Sequence, residues 1–262
     1  LRAPHDARVL ALLAQPGELV GEGDGLLRLG PVELRESSAV AEAPATPAAT
    51  LRADLREFLD REALLHDAAR PEAVARRHAG GLRTARENVA DLCDPGSFVE
   101  YGGFAYAAQT KRRSVDELIR QTPADGMVTG VGNVGGRRCV VLAYDATVLA
   151  GTQGLRNHQK TDRLLALALD QRLPVVLFAE GGGGRPGDTD MPIVAGLHVR
   201  TFASFAKLSG QVPVVGIAAG RCFAGNAALL GCCDLIIATR DSNIGMGGPA
   251  MVDGGGLGRF WP

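Results

Sequence analysis

The chain has 262 residues, 46% of them hydrophobic, and a formal net charge of -1 with acids and bases interspersed. This is apolar material for a sizeable core, and it lacks the single-sign field that nucleic acid or an anionic membrane surface would require. Five cysteines without a CxxC pair and five histidines without ligand spacing argue against a disulfide framework and a structural zinc site.

Residues 1–34 predict short strands separated by Pro16-Gly17 and Gly23-Asp24-Gly25 turns. Ala3-Pro4, Val9-Leu10, Pro16 to Val20 and Leu26-Leu27 resemble the second half of a biotinyl domain. The lysine-bearing Met-Lys-Met turn of that family would lie before this point, and an unrelated small hairpin is the alternative. The stretch at 35–50, rich in Ala and Pro, reads as a linker. Leu51, Leu55, Phe58, Leu59 and Leu64 then predict a helix between Leu51 and Ala69. A second helix is expected from Arg76 to Cys93, broken by Asp94-Pro95-Gly96.

From Gly126 the period changes. Strands are expected at Met127–Gly132, Arg137–Val148 and Asp234–Thr239, and helices at Gln159–Gln171 and Ile193–Leu208. Two matching stretches frame the second half, Leu173 to Arg185 (LPVVLFAEGGGGR) and Val212 to Asn226 (VPVVGIAAGRCFAGN). Each is an apolar run without alternation that ends in a glycine-rich turn, as in a parallel strand buried on both faces. The class is therefore α/β, and the two strands are expected to be close. Gly183, Gly184, Ala224 and Gly225 would then present backbone N–H groups to one point, the arrangement that stabilises an oxyanion.

The alternatives are weaker. Gly182, Gly184 and Gly187 satisfy the dinucleotide spacing GxGxxG, but Met191 to Cys233 contains no Asp or Glu to hold a ribose. Neither a P-loop nor a GxSxG elbow occurs. Cys222 reads as a packed thiol beside Phe223, and His198 as a structural residue on an apolar helix. What remains is a pocket of backbone donors without a side-chain general base. No apolar run approaches the ~18 residues that span a bilayer, and the first residues do not read as a signal peptide, so a cytoplasmic location is expected.

Several separated motifs carry a resemblance, from about residue 51 to the end. They are Gly81 to Glu100 (GLRTARENVADLCDPGSFVE), Asp125 to Gly132 (DGMVTGVG), Tyr144 to Gly154 (YDATVLAGTQG), Glu180 to Arg185 (EGGGGR) and Gly220 to Ala227 (GRCFAGNA). In this order they resemble the carboxyltransferase component of biotin-dependent acyl-CoA carboxylases. The family's usual Ser-Gly-Gly-Ala-Arg stands here as Gly181 to Arg185, and its Gly-Pro-Cys-Ala-Gly-Gly-Ala as Gly220 to Asn226. Gly245 to Gly258 (GMGGPAMVDGGGLG), with the biotinyl-like start, looks most like the single-chain long-chain acyl-CoA carboxylases.

The resemblance implies a crotonase-type ββα superhelix for residues 51–262, forming an N domain that continues into a C domain. It also implies transfer of CO2 from carboxybiotin to the α-carbon of an acyl-CoA through an enolate. The biotin would sit on a lysine outside this chain segment, with coenzyme A arriving as the substrate thioester. Gly183 and Gly184, supported by Ala224 and Gly225, are then the oxyanion donors. Arg156 and Lys160 are candidates for the CoA phosphates. Arg185 either joins them or braces the first glycine turn through carboxylates. Expected partners are a biotinyl domain, a carboxyltransferase C domain, a biotin carboxylase region and further copies in a homo-oligomer. On this reading the segment alone binds acyl-CoA without turnover. Two rivals stay open: a crotonase-type hydratase or isomerase, for which Glu180 is the sole candidate acid-base, and a non-catalytic assembly domain.

Overall fold

A computed structural model describes residues 7–15, 18, 20–31, 51–191 and 199–256. The expected linker, His198 with the first turns of the helix expected from Ile193, and the residues from 257 onward lie outside the described residues. The chain divides into two units, Leu1–Leu51 and Arg52–Pro262. In the first, β1 (Ala7–Leu12) pairs antiparallel with β2 (Leu27–Pro31), and Val9, Leu10 and Leu12 remain exposed.

The second unit opens with α1 (Ala53–Ala63), α2 (Pro71–Ala79) and α3 (Ala85–Leu92). One helix was expected over Arg76–Cys93; the structure has two. Gly81, at φ 71°, ends the first. Thr84 opens the second with a reciprocal cap, its hydroxyl accepting from Glu87 N at 3.1 Å while the Glu87 carboxylate accepts from Thr84 N at 2.8 Å. The chain continues through β3 (Val99–Glu100), α4 (Val115–Gln121), β4 (Met127–Val134), β5 (Arg137–Tyr144), α5 (Leu155–Gln171) and β6 (Val175–Phe178). It closes with α6 (Thr201–Leu208), β7 (Val214–Ala218), β8 (Arg221–Phe223), α7 (Gly225–Gly231), β9 (Leu235–Ala238), β10 (Asn243–Gly245) and α8 (Pro249–Gly254).

The main sheet has the order β3-β4-β5-β6-β7-β9, and a small parallel pair joins β8 to β10. The sheet is mixed rather than wholly parallel. Gly135 and Gly136, at φ 56° and 75°, form a two-residue turn that folds β5 back on β4. Asp94 holds that turn, accepting from both glycine amides at 2.9 and 2.7 Å. From β5 onward the pairings are parallel, and β6 and β7 are direct neighbours, as their matching sequences suggest.

β5 shows why a non-alternating run is buried twice. Val140, Leu142 and Tyr144 join one core with Leu164 and Leu165 of α5, Phe205 of α6 and Leu229 of α7. The intervening Cys139, Val141 and Ala143 join another with Ala85 and Val89 of α3. Helices thus cover both faces. The edge strand β9 differs: Leu235, Ile236 and Ile237 are all exposed. Among the described residues no helix is long and apolar enough to cross a membrane.

Candidate active site

The turns after β6 and β7 meet. Gly181 N donates to Arg221 O at 2.7 Å, and Phe223 N returns a bond to Gly181 O at 2.9 Å. A third turn joins them, since Gly182 N donates to Ala150 O at 3.1 Å. That turn is conformationally costly: Leu149, Ala150 and Gly151 are all left-handed, with φ of 46°, 55° and 63°. It falls within the Tyr144–Gly154 motif.

The four expected oxyanion donors divide into two kinds. Gly183 N donates to Asn226 Oδ1 at 3.0 Å and Ala224 N to Gly245 O at 2.9 Å, so both amides are already bonded inside the protein. Those two assignments as donors to a ligand are corrected. Among the described residues the Gly184 and Gly225 amides have no protein partner.

Their directions follow from the planar trans peptide, in which C=O and N–H point opposite ways. Gly183 O accepts from Gln153 N at 2.7 Å, which turns the Gly184 N–H away from Gln153. Ala224 O accepts from Ala228 N at 2.9 Å, which turns the Gly225 N–H out of the start of α7. Ala224 has φ 50° and ψ -121°, a geometry ordinarily reserved for glycine. Gly184 stands open, with nothing within 4 Å of where a Cβ would be.

The expected phosphate cations are placed differently. Lys160 is buried, and its Nζ donates to Ala124 O at 2.8 Å and Met127 O at 2.5 Å. Burial pushes its ammonium down to about 8. The Arg185 side chain is also buried, pairing with Asp125 and donating to Thr152 O at 2.9 Å and Thr152 Oγ1 at 3.1 Å. Both side chains brace a second left-handed run, Ala124, Asp125 and Gly126 at φ 53°, 50° and 70°. A surface role for Lys160 and Arg185 is therefore replaced by a bracing role, the alternative that the sequence left open for Arg185. Arg156 stacks on the Tyr106 ring at 4.1 Å and lies 3.6 Å from Asp190, but keeps part of its surface in solvent.

Among the described residues no free side-chain base stands at these turns. Glu180 is clamped by Arg77 through two bonds of 2.6 and 2.8 Å. The Cys222 thiol is fully buried, and burial pushes it up to about 12. Both observations agree with the packed-thiol reading and leave Glu180 poorly disposed as the acid-base of a hydratase. A cleft of about 790 Å³ opens beside the turns, walled by Arg77, Glu180, Gly182, Arg221, Phe223 and Arg240. Arg221 and Arg240 are exposed there. Sequence reasoning missed both, because each is an isolated cation that only the β8 region brings to one wall.

This fold and site define an α/β protein in which two main-chain N–H groups without a protein partner among the described residues, those of Gly184 and Gly225, stand on adjoining turns. The carboxyl transferase domain model matches residues 76–254, more than half of the chain, and the chain belongs to that family. It is 30% identical over 205 residues to the methylmalonyl-CoA carboxyltransferase 12S subunit of Propionibacterium freudenreichii subsp. shermanii, covering 78% of this chain and 38% of that one. It is 36% identical over 155 residues to the propionyl-CoA carboxylase beta chain of Saccharopolyspora erythraea, covering 58% and 27%. Among solved structures, a single-chain, multi-domain long-chain acyl-CoA carboxylase matches with TM-score 0.75 and 56% identity, covering all of this chain and 25% of that one. The transcarboxylase 12S hexamer, solved with hydrolysed methylmalonyl-CoA bound, matches with TM-score 0.69 and 28% identity, covering 82% and 41%. The chain thus spans well under half the length of these relatives.

Proposed function

We propose that this chain is the carboxyltransferase N domain of a biotin-dependent acyl-CoA carboxylase, transferring a carboxyl group to the α-carbon of an acyl-CoA. Family membership and the 56% identity to a long-chain acyl-CoA carboxylase support this reading. The single structural observation that carries it is the pair of unpartnered amides, Gly184 and Gly225, on adjoining turns. Their N–H groups hold the thioester oxygen as the α-proton leaves and the enolate forms. One such donor is worth about 3 kcal/mol in a dry site.

The residues present fit a biotin-dependent reaction, because the turns supply polarising donors and no free base. Biotin, when bound, supplies the carboxyl group and a nitrogen base. Gly184 is open where a side chain would project, so a methyl group there meets no protein atom. Arg221 and Arg240 take the place at the cleft that sequence reasoning gave to Lys160 and Arg185, and with Arg156 they offer charge to the CoA phosphates.

The finer domain organisation belongs to the same proposal. Residues 1–34 form the second half of a biotinyl domain, 35–50 a linker, and 51–262 part of a crotonase-type N domain. Partners are the biotinyl domain, a carboxyltransferase C domain, a biotin carboxylase region and further copies of the chain, in the cytoplasm. The test is carboxylation of acyl-CoA by the full-length enzyme with Gly184→Ala and Gly184→Pro. The alanine variant keeps the amide and is expected to retain turnover; the proline variant lacks it and is expected to lose about 100-fold. Equal turnover in the two variants would refute the assignment of Gly184.

A further inference from the structure

We infer that Asn226 is a positioning residue for the oxyanion site, a side chain that adds to the backbone bonds between Gly181, Arg221 and Phe223 in holding the two donor-bearing turns relative to each other; this rests on the functional reading above. Asn226 is fully buried. Its Nδ2 donates to Glu180 O at 2.7 Å and Gly151 O at 3.1 Å, while its Oδ1 accepts from Gly183 N at 3.0 Å. One carboxamide therefore joins three chain segments that lie 43 to 75 residues from it. Two carbonyls and one N–H converge on it, and only an amide with its oxygen towards Gly183 satisfies all three.

The consequence for the donors is direct. Asn226 is the second residue of α7, and Gly225 with its free amide is the first. Gly183, held by that side chain, immediately precedes Gly184 with the other free amide. The spacing of the two donors thus depends on a bond between their immediate neighbours as well as on the backbone bonds at Gly181. The Gly151 and Glu180 carbonyls prevent the asparagine from rotating out of that role.

The experiment uses the full-length carboxylase with Asn226→Ala and the isosteric Asn226→Asp, which accepts from Gly183 but cannot donate to either carbonyl. Calorimetry compares free CoA with S-carboxymethyl-CoA, whose carboxylate oxygen stands in for the enolate oxygen. Expected is CoA affinity within about twofold of wild type, weaker binding of the carboxylate analogue, and turnover down about 100-fold with KM for acyl-CoA changed under about threefold. The inference is overturned by wild-type turnover in Asn226→Ala, by equal loss of affinity for both ligands, or by failure of both variants to fold, which would make the residue purely structural. A wild-type enzyme that carboxylates no acyl-CoA defeats the functional reading instead, and this inference with it.

Discussion

A Cβ built on Gly183 would stand 2.6 Å from the Cβ of Ala224, so the two glycine-rich turns touch at a point where neither has room for another carbon. Gly183 also has φ 85°, a backbone that side chains rarely adopt. Gly183→Ala is therefore expected to cost about 2 kcal/mol of stability and to part the turns. A denaturant midpoint unchanged from wild type would contradict this packing.

Ala224 predicts the opposite sign. Its φ of 50° with ψ -121° suits glycine. Ala224→Gly is expected to relieve strain and raise stability by up to about 1 kcal/mol, because the relief exceeds the entropy that glycine adds to the unfolded chain. Thermal melting of the two proteins side by side measures it.

The Arg77–Glu180 pair separates carboxyl transfer from hydration. Both side chains are nearly buried, and removing one charge strands the other. Glu180→Gln is expected to cost about 3 kcal/mol of stability yet leave carboxyl transfer within about tenfold of wild type. Hydration of an unsaturated acyl-CoA that vanishes in this variant would instead revive Glu180 as a catalytic group.

Acid stability turns on His158. Burial first, and the Arg185 charge second, push its imidazole down from 6.5 to about 4. Between these values the unfolded chain holds the extra proton, so this group makes stability fall as pH drops from about 6.5 towards 4. His158→Gln, which keeps a partner for the Thr201 hydroxyl 2.9 Å away, is expected to flatten that slope in urea midpoints taken across the window.

At alkaline pH two slopes oppose. Lys160 sheds its proton near 8 when folded and near 10.5 when unfolded, so it adds stability as pH rises between those values. Burial pushes the Cys222 and Cys233 thiols up from 9.0 to about 12, so the unfolded thiols ionise first and stability falls above 9. Wild type is expected to gain slightly from pH 8 to 9 and then decline. Lys160→Met should show the decline without the gain.

The strand pair was legible because a run such as Pro-Val-Val closed by glycines has few other folds to adopt, and β6 and β7 are neighbours. The helix expected over Leu51–Ala69 forms only as Ala53–Ala63, and that expected from Gln159 begins four residues earlier, at Leu155. The site was read only in outline. Gly183 and Ala224 looked like donors because periodicity cannot say where an amide is spent, and their partners, Asn226 and Gly245, are fixed only by tertiary folding. Arg77 and Glu180 are 103 residues apart, and nothing local marks either as half of a pair. Lys160 read as a surface cation because lysine is seldom buried, while the left-handed turn that needs its ammonium lies on another element.

The rungs of the sheet hold one last implication. Ala143, Phe178, Ile217 and Ile237 stand side by side across four parallel strands. Losing one residue inside β6 would exchange its inward and outward side chains and twist everything beyond Phe178 out of step. Length can change cheaply only at the opposite rim, around Arg172 and Gln211, where the strands begin. Divergent descendants of this sequence should therefore grow and shrink there, while the spacing from Val175 to Arg185 stays frozen.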